Sequence, residues 1–180
     1  IVWLAKTKPD KRTEPLPSAP IVLLKEYQTP SDPFSDVERE VYALKMIGNI
    51  PKISKYVPRL FGQSTISSDS IGCDNCGGGN DIIEIEYFDN AKTVGNWLRQ
   101  HGESYSHPPT LKLIRDIEGE IADNTGIWHG DLHIGNAMVV GNPDIDKLTK
   151  DDIKIIDWSR AASPEIDRWM KKVERDRATR

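Results

Sequence analysis

Long apolar runs are missing from this chain. Its hydrophobic stretches, such as Ile21-Val22-Leu23-Leu24, fall far short of the ~20 residues that a membrane-spanning helix requires. Cysteine is scarce: Cys73 and Cys76 are the only two, too few to staple a secreted disulfide scaffold. No charged segment followed by an apolar one opens the sequence, so the expected setting is intracellular and cytoplasmic, with no membrane contact. Positive charge is not in excess either. Lys and Arg number 24 against 28 Asp and Glu, a net charge of −4, so a global field for nonspecific nucleic-acid binding is absent and only a local basic patch remains. No internal repeat is visible, and 180 residues fit one compact domain or two small lobes.

The first third reads as strand, loop, strand, helix. Ile1 to Ala5 is a short apolar run, and Pro9, Pro15, Pro17 and Pro20 break the chain before Ile21 to Leu24 resumes strand character. Ser35-Asp36-Val37-Glu38 has the form of a capping box. Val37, Val41, Leu44 and Ile47 then follow at helical spacing, and Gly48-Asn49 closes the helix. Val57 to Ile66 and Asp81 to Phe88 read as two further strands, the second with Ile83, Ile85 and Tyr87 alternating against Glu84 and Glu86. The Ser-, Asp- and Gly-rich segment from Ser64 to Asn80 reads as a mobile surface loop. Thr93 to His101 and Pro109 to Thr125 read as helices, the latter on Leu111, Ile114, Ile117 and Ile121, which makes the second half mostly helical. The expected boundary is Asp89 to Lys92, dividing residues 1–88, a nucleotide-binding sheet with one helix, from residues 89–180, a helical half carrying the catalytic and metal-binding loops.

Chemistry concentrates in His129-Gly130-Asp131-Leu132-His133-Ile134-Gly135-Asn136 and in Ile153-Lys154-Ile155-Ile156-Asp157-Trp158. Phosphoryl transfer asks a protein for a carboxylate to orient a hydroxyl, oxygen ligands for Mg²⁺, and cations on the phosphates. An Asp and an Asn five residues apart on one loop can face a shared site, and an Asp at a strand end adds a hard oxygen ligand.

The pattern H-G-D-L-H-x-G-N followed by I-I-D-W resembles the catalytic and metal-binding loops of the protein-kinase-like superfamily. Its spelling is closest to aminoglycoside phosphotransferases, RIO kinases and the small kinase of the KEOPS complex. The resemblance implies an α+β, bilobal kinase-like fold with a small antiparallel N-lobe sheet and an abbreviated helical C-lobe. It implies ATP and Mg²⁺ as cofactors. By position, Lys25 resembles the strand lysine that bridges ATP phosphates, Glu40 the helix glutamate that positions it, and Ile85 the gatekeeper. Backbone groups of Glu86 and Phe88 correspond to the adenine-binding hinge. Asp131 matches the catalytic base, Asn136 and Asp157 the metal ligands, and His129 a support for the loop. His133 takes the catalytic place that a Lys holds in many protein kinases.

Gly130 stands where the family's usual Arg precedes the catalytic Asp, so control by a phosphorylated activation loop is not expected. Ser159 stands where a Gly is usual. The family's Gly-rich phosphate loop would fall just before Ile1. With 23 residues after Asp157, enough for one helix from Pro164 to Thr179, the chain resembles the KEOPS kinase. That implies an atypical Ser/Thr protein kinase or ATPase within a multiprotein complex serving tRNA processing. The acceptor would be a protein hydroxyl. The alternatives are a small-molecule kinase, favoured by His133 and the I-D-W spelling, and a pseudokinase scaffold lacking the Gly-rich loop.

Three features have plainer readings. Cys73-Asp74-Asn75-Cys76 resembles one knuckle of a zinc ribbon, but zinc takes four ligands and no second CxxC exists; with only His101 and His107 as candidate partners, free thiols or a local redox pair is favoured. The basic residues Arg168, Lys171, Lys172, Arg175, Arg177 and Arg180 alternate with Asp167, Glu174 and Asp176, as on a solvated helix, and an RNA or partner contact there is the lesser reading. Trp97, Trp128 and Trp169 are expected to be packing residues.

Overall fold

A computed structural model describes residues 2–6, 21–27, 36–66 and 80–178, and the capping box at Ser35, both cysteines and Gly77 to Gly79 lie outside them. The architecture is mixed α+β, with two small antiparallel sheets and several helices.

The first sheet has strands β1 (Val2–Lys6), β2 (Ile21–Tyr27), β3 (Leu60–Ile66) and β4 (Asn80–Glu86) in the order β1-β2-β4-β3. β2 is therefore an inner strand, with Lys25 opposite Ile83 and Leu23 opposite Ile85. Ile83 and Ile85 are buried while Glu84 is half-buried, the alternation a sheet with one covered face demands. Two expectations are corrected here. Residues 57–59 are not strand, because Pro58 has no N–H to give a ladder, and β3 starts at Leu60. The expected strand does end at Ile66, so the loop expected from Ser64 to Asn80 is shorter at both ends: Ser64 pairs with Ile82 and Ile66 with Asn80. β3 is an edge strand, where polar side chains such as exposed Gln63 and Ser64 meet water without loss to the ladder.

Helix α1 (Asp36–Gly48) lies against this sheet. Val37, Val41, Leu44 and Ile47 are all buried, each contributing roughly 1.5–3 kcal/mol. Asp36 and Glu38 in the first turn and Lys45 in the last suit the helix dipole. Glu40 falls within the apolar face, so the packing that fixes α1 also takes a carboxylate out of water. A short helix not foreseen from the sequence, α2 (Pro51–Ser54), follows with Pro at its start and Ile53 fully buried.

The second half is less purely helical than its sequence suggests. A three-stranded antiparallel sheet, β5 (Lys92–Thr93), β6 (Ala137–Val139) and β7 (Ile153–Ile155), runs in that order through it. Ala137, Val139, Ile153 and Ile155 point inward. Around it stand α3 (Val94–Gln100), α4 (Pro108–Thr125) and α5 (Pro164–Ala178). The Thr93 hydroxyl caps α3 by accepting the Asn96 N–H at 3.3 Å, and Gly126, in the left-handed region at φ 70°, ends α4. Ile166 and Met170 of α5 are buried, and Trp169 lies 5.3 Å from the Tyr42 ring of α1.

One cluster of buried side chains contains residues from both sides of Asp89–Lys92. Across that boundary the Ile155 N–H donates to the Tyr56 carbonyl at 2.7 Å. Trp97 is fully buried as expected, but Trp128 is 55% exposed and is not a packing residue. Among the described residues no helix is long and apolar enough to cross a membrane.

Candidate active site

Three elements meet at Lys25. Its ammonium, on β2, stands 2.7 Å from Glu40 Oε2 on α1 and 2.6 Å from Asp157 Oδ1 just beyond β7. Glu40 is 1% exposed, and burial is the main cause of a carboxyl pKa above the ordinary range, with Lys25 pulling the other way. Its second oxygen, Oε1, is buried without a partner at hydrogen-bonding geometry, and the Trp158 backbone offsets this only weakly. For Asp157, burial pushes up, yet the Lys25 hydrogen bond and charge with the Ser159 contacts outweigh it, and its pKa lies below the usual carboxylate value.

The direction of the Asp157 side chain comes from its backbone. At φ 62° and ψ 65° it occupies the left-handed region, which Asp tolerates better than most residues at a cost of about 1–2 kcal/mol. The Ser159 hydroxyl donates to Asp157 Oδ1 at 2.9 Å. Trp158, fully buried, donates its indole N–H to the Ile155 carbonyl at 3.1 Å, which anchors the turn from below.

His129 joins this turn to the Asp131 loop. The imidazole is wholly buried, lies 4.7 Å from the Trp158 ring, and has Nε2 2.8 Å from the Ile156 carbonyl. Since a carbonyl only accepts, Nε2 carries the proton, and Nδ1 accepts the Asp131 N–H at 3.3 Å. Burial, opposed by the Ile156 bond, holds the His129 pKa below 6.5, which keeps this neutral tautomer. On α4 the Glu118 carboxylate accepts the His129 backbone N–H at 3.2 Å.

Beyond Gly130, at φ 78°, the Asp131 side chain is 46% exposed. The Asn136 amide donates to the Asp131 carbonyl at 3.0 Å, and the Asn136 carbonyl accepts the Ile156 N–H at 2.9 Å. One hydrogen-bonded loop pair thus unites Asp131, Asn136 and Asp157. His133 is exposed, and its Nδ1 accepts the Gly135 N–H at 2.9 Å, folding the ring back on its own loop.

A cavity of about 310 Å³ opens beside Lys25, Glu40 and Asp157, at the small end of ligand-site volumes. Leu23, Ile85, Met138 and Ile156 make its apolar walls, and Glu86, Tyr87 and Phe88 line one side. The Glu86 N–H donates to the Arg59 carbonyl at 2.8 Å, so of its backbone groups only the carbonyl can meet a ligand. Asp131, His133 and Asn136 lie outside this lining. Met138, Pro58 and Ala91 also line it, and no sequence signal marked them.

For a divalent ion the hard oxygens are the Asp157 carboxylate and the Asn136 side-chain oxygen, whose amide nitrogen is held by the Asp131 carbonyl. That set suits Mg²⁺, which keeps few protein ligands and completes its shell with phosphate and water. Among the described residues no group of three or more His, Cys, Asp or Glu has the form of a metal site. His101 and His107 are engaged separately, with the Trp97 carbonyl and the Thr110 hydroxyl at 2.9 Å each.

No family model matches the chain, and comparison with curated proteins finds no match.

Proposed function

We propose that the chain is an ATP- and Mg²⁺-dependent phosphotransferase of the protein-kinase-like type, its two halves acting as lobes around the cavity. The observation that carries this reading is the Lys25 ammonium bridging Glu40 and Asp157 at the cavity's edge. Burial of an acid on the apolar face of α1 is costly, and a lysine from a neighbouring strand offsets that cost while staying 17% exposed to a ligand. The cavity suits a purine, with Ile85, Glu86 and Phe88 all in its lining and the Glu86 carbonyl left as that residue's available backbone group. Lys25 then meets the phosphates.

In the transfer the bond between the γ-phosphorus and the β–γ bridging oxygen breaks, and a bond from the acceptor oxygen to that phosphorus forms. Asp131 orients the acceptor hydroxyl and takes its proton, and ADP leaves. Mg²⁺ bound through Asn136 and Asp157 would neutralise charge on the phosphates. His129 and Glu118 hold the Asp131 backbone in place. Resemblance to the KEOPS kinase favours a Ser/Thr hydroxyl of a protein as the acceptor.

A thermal-shift titration with ATP plus Mg²⁺ against ATP plus EDTA tests the reading, because a ligand of the folded state raises its stability by mass action. Stabilisation that requires the metal is expected, lost in Asp157→Ala and kept in Asp131→Ala. Asp131→Ala should in turn abolish transfer from radiolabelled ATP. Unchanged turnover removes the base assignment, and binding without turnover in the unaltered chain leaves a scaffold.

A further inference from the structure

His133, two residues after Asp131, is engaged with its own loop, its Nδ1 accepting the Gly135 N–H at 2.9 Å. The His133 ring lies so close on the Gly135 backbone that a Cβ on Gly135 would meet its Cε1 at 2.7 Å. The cation that the fold does bring to Asp131 is Arg160, with Nε 3.9 Å from Asp131 Oδ2.

Arg160 is held there by its backbone. The Trp128 N–H donates to the Ala162 carbonyl, and the Ala162 N–H to the Trp128 carbonyl, each at 2.9 Å. Two residues on, a Cβ on Gly130 would lie 2.1 Å from the Arg160 carbonyl oxygen. The segments 128–130 and 160–162 therefore run antiparallel in close contact. The Arg160 side chain itself is 70% exposed. An exposed ion pair of this length adds little to stability, so the pair is not what closes the two segments. At 3.9 Å it is also longer than a hydrogen bond, and the planar fork of five donors is not committed to Asp131.

We infer that Arg160 is the cation that meets the phosphoryl group on the acceptor side as it passes to the oxygen held by Asp131. The inference rests on the phosphotransferase reading and deepens it. Lys25 lies at the cavity, whereas Arg160 is absent from its lining, so the two cations serve opposite ends of the transferred group. Guanidinium geometry suits this task, since two parallel N–H groups can meet two phosphoryl oxygens.

Hydrolysis of Mg-ATP tests it without a known acceptor, water taking that part: its oxygen bonds to the γ-phosphorus, its proton passes to Asp131, and ADP and phosphate leave. Arg160→Ala should lower kcat by about 10–100-fold, less than the ~100–1,000-fold lost with a water-excluded donor because the guanidinium is exposed, and by more than His133→Ala does. KM for ATP and the affinity for a fluorescent ATP analogue should stay within about twofold, and Arg160→Lys should recover part of the loss. A second readout needs no turnover. Inorganic phosphate added to the nucleotide-free chain should shift the NMR signals of the Arg160 Nε–H and the Asp131 amide, and Arg160→Ala should abolish the Asp131 response. Unchanged kcat in Arg160→Ala, a loss confined to nucleotide affinity, or no response to phosphate overturns the inference while the reading stands. If the unaltered chain neither binds nor hydrolyses Mg-ATP, the reading fails and Arg160 with it.

Discussion

Lys25 and Asp157 are 132 positions apart in the chain and 2.6 Å apart in the fold. Their contact ties an inner strand of the first sheet to the turn after the last strand of the second. With Glu40 on the ammonium's other flank, two carboxylates share one cation, and each raises the cost of losing it.

Lys25→Met should therefore destabilise the chain by about 1–3 kcal/mol. That is less than the loss for a fully buried pair, because Lys25 is 17% exposed and Glu40 can take up a proton. Adding Glu40→Gln removes one of the stranded acids, so the double variant should lose less than the two single losses combined. Urea unfolding of all four chains gives the coupling.

His129 sets a pH dependence of definite sign. Burial lowers its pKa from 6.5, so the folded state favours the neutral ring. The stability this contributes is complete above 6.5 and declines as pH falls below it toward the depressed native value. A proton on Nδ1 would also displace the Asp131 N–H. The unaltered chain should lose more stability than His129→Gln between about pH 7.5 and pH 5.5, measured by urea unfolding at both.

Gly130 and Gly102 make a matched pair. Both have positive φ, 78° and 72°, but a Cβ at 102 meets nothing within 4 Å, whereas at 130 it meets the Arg160 carbonyl at 2.1 Å. Gly102→Ala should cost about 1 kcal/mol from backbone strain alone. Gly130→Ala should cost a further ~1–3 kcal/mol from the clash, and thermal unfolding of the two variants separates the terms.

Glu118 supplies an acceptor to the buried segment at His129. Glu118→Ala leaves that N–H without it and should cost about 1–3 kcal/mol. Glu118→Gln keeps an oxygen in place and should recover most of the loss. Hydrogen exchange at the His129 amide reports the bond directly: fast in the Ala variant, slow in the Gln variant.

The α1 stripe was legible because its period is strong, and Val37, Val41, Leu44 and Ile47 all lie inside. Lys25, Glu40 and Asp157 could be expected at one site only through the resemblance of the surrounding motifs, and the fold brings them into contact. The second sheet escaped notice since strands of two and three residues are too short to display a period. The polar end of β3 overlapped the expected loop because backbone pairing, not side-chain burial, sets the length of an edge strand. The orientation of the His133 ring and the nearness of Arg160 to Asp131 were not legible, as both depend on local and tertiary contacts such as the pairing of residues 128–130 with 160–162. Trp128 misled for a similar reason: its backbone is held by Ala162 while its indole faces solvent.

The close seat of Gly130 under the Arg160 carbonyl also restricts what this loop can become. A side chain of any size at 130 would first require residues 160–162 to retreat. A larger residue at this position would therefore have to arrive together with a change in the 160–162 segment, never alone.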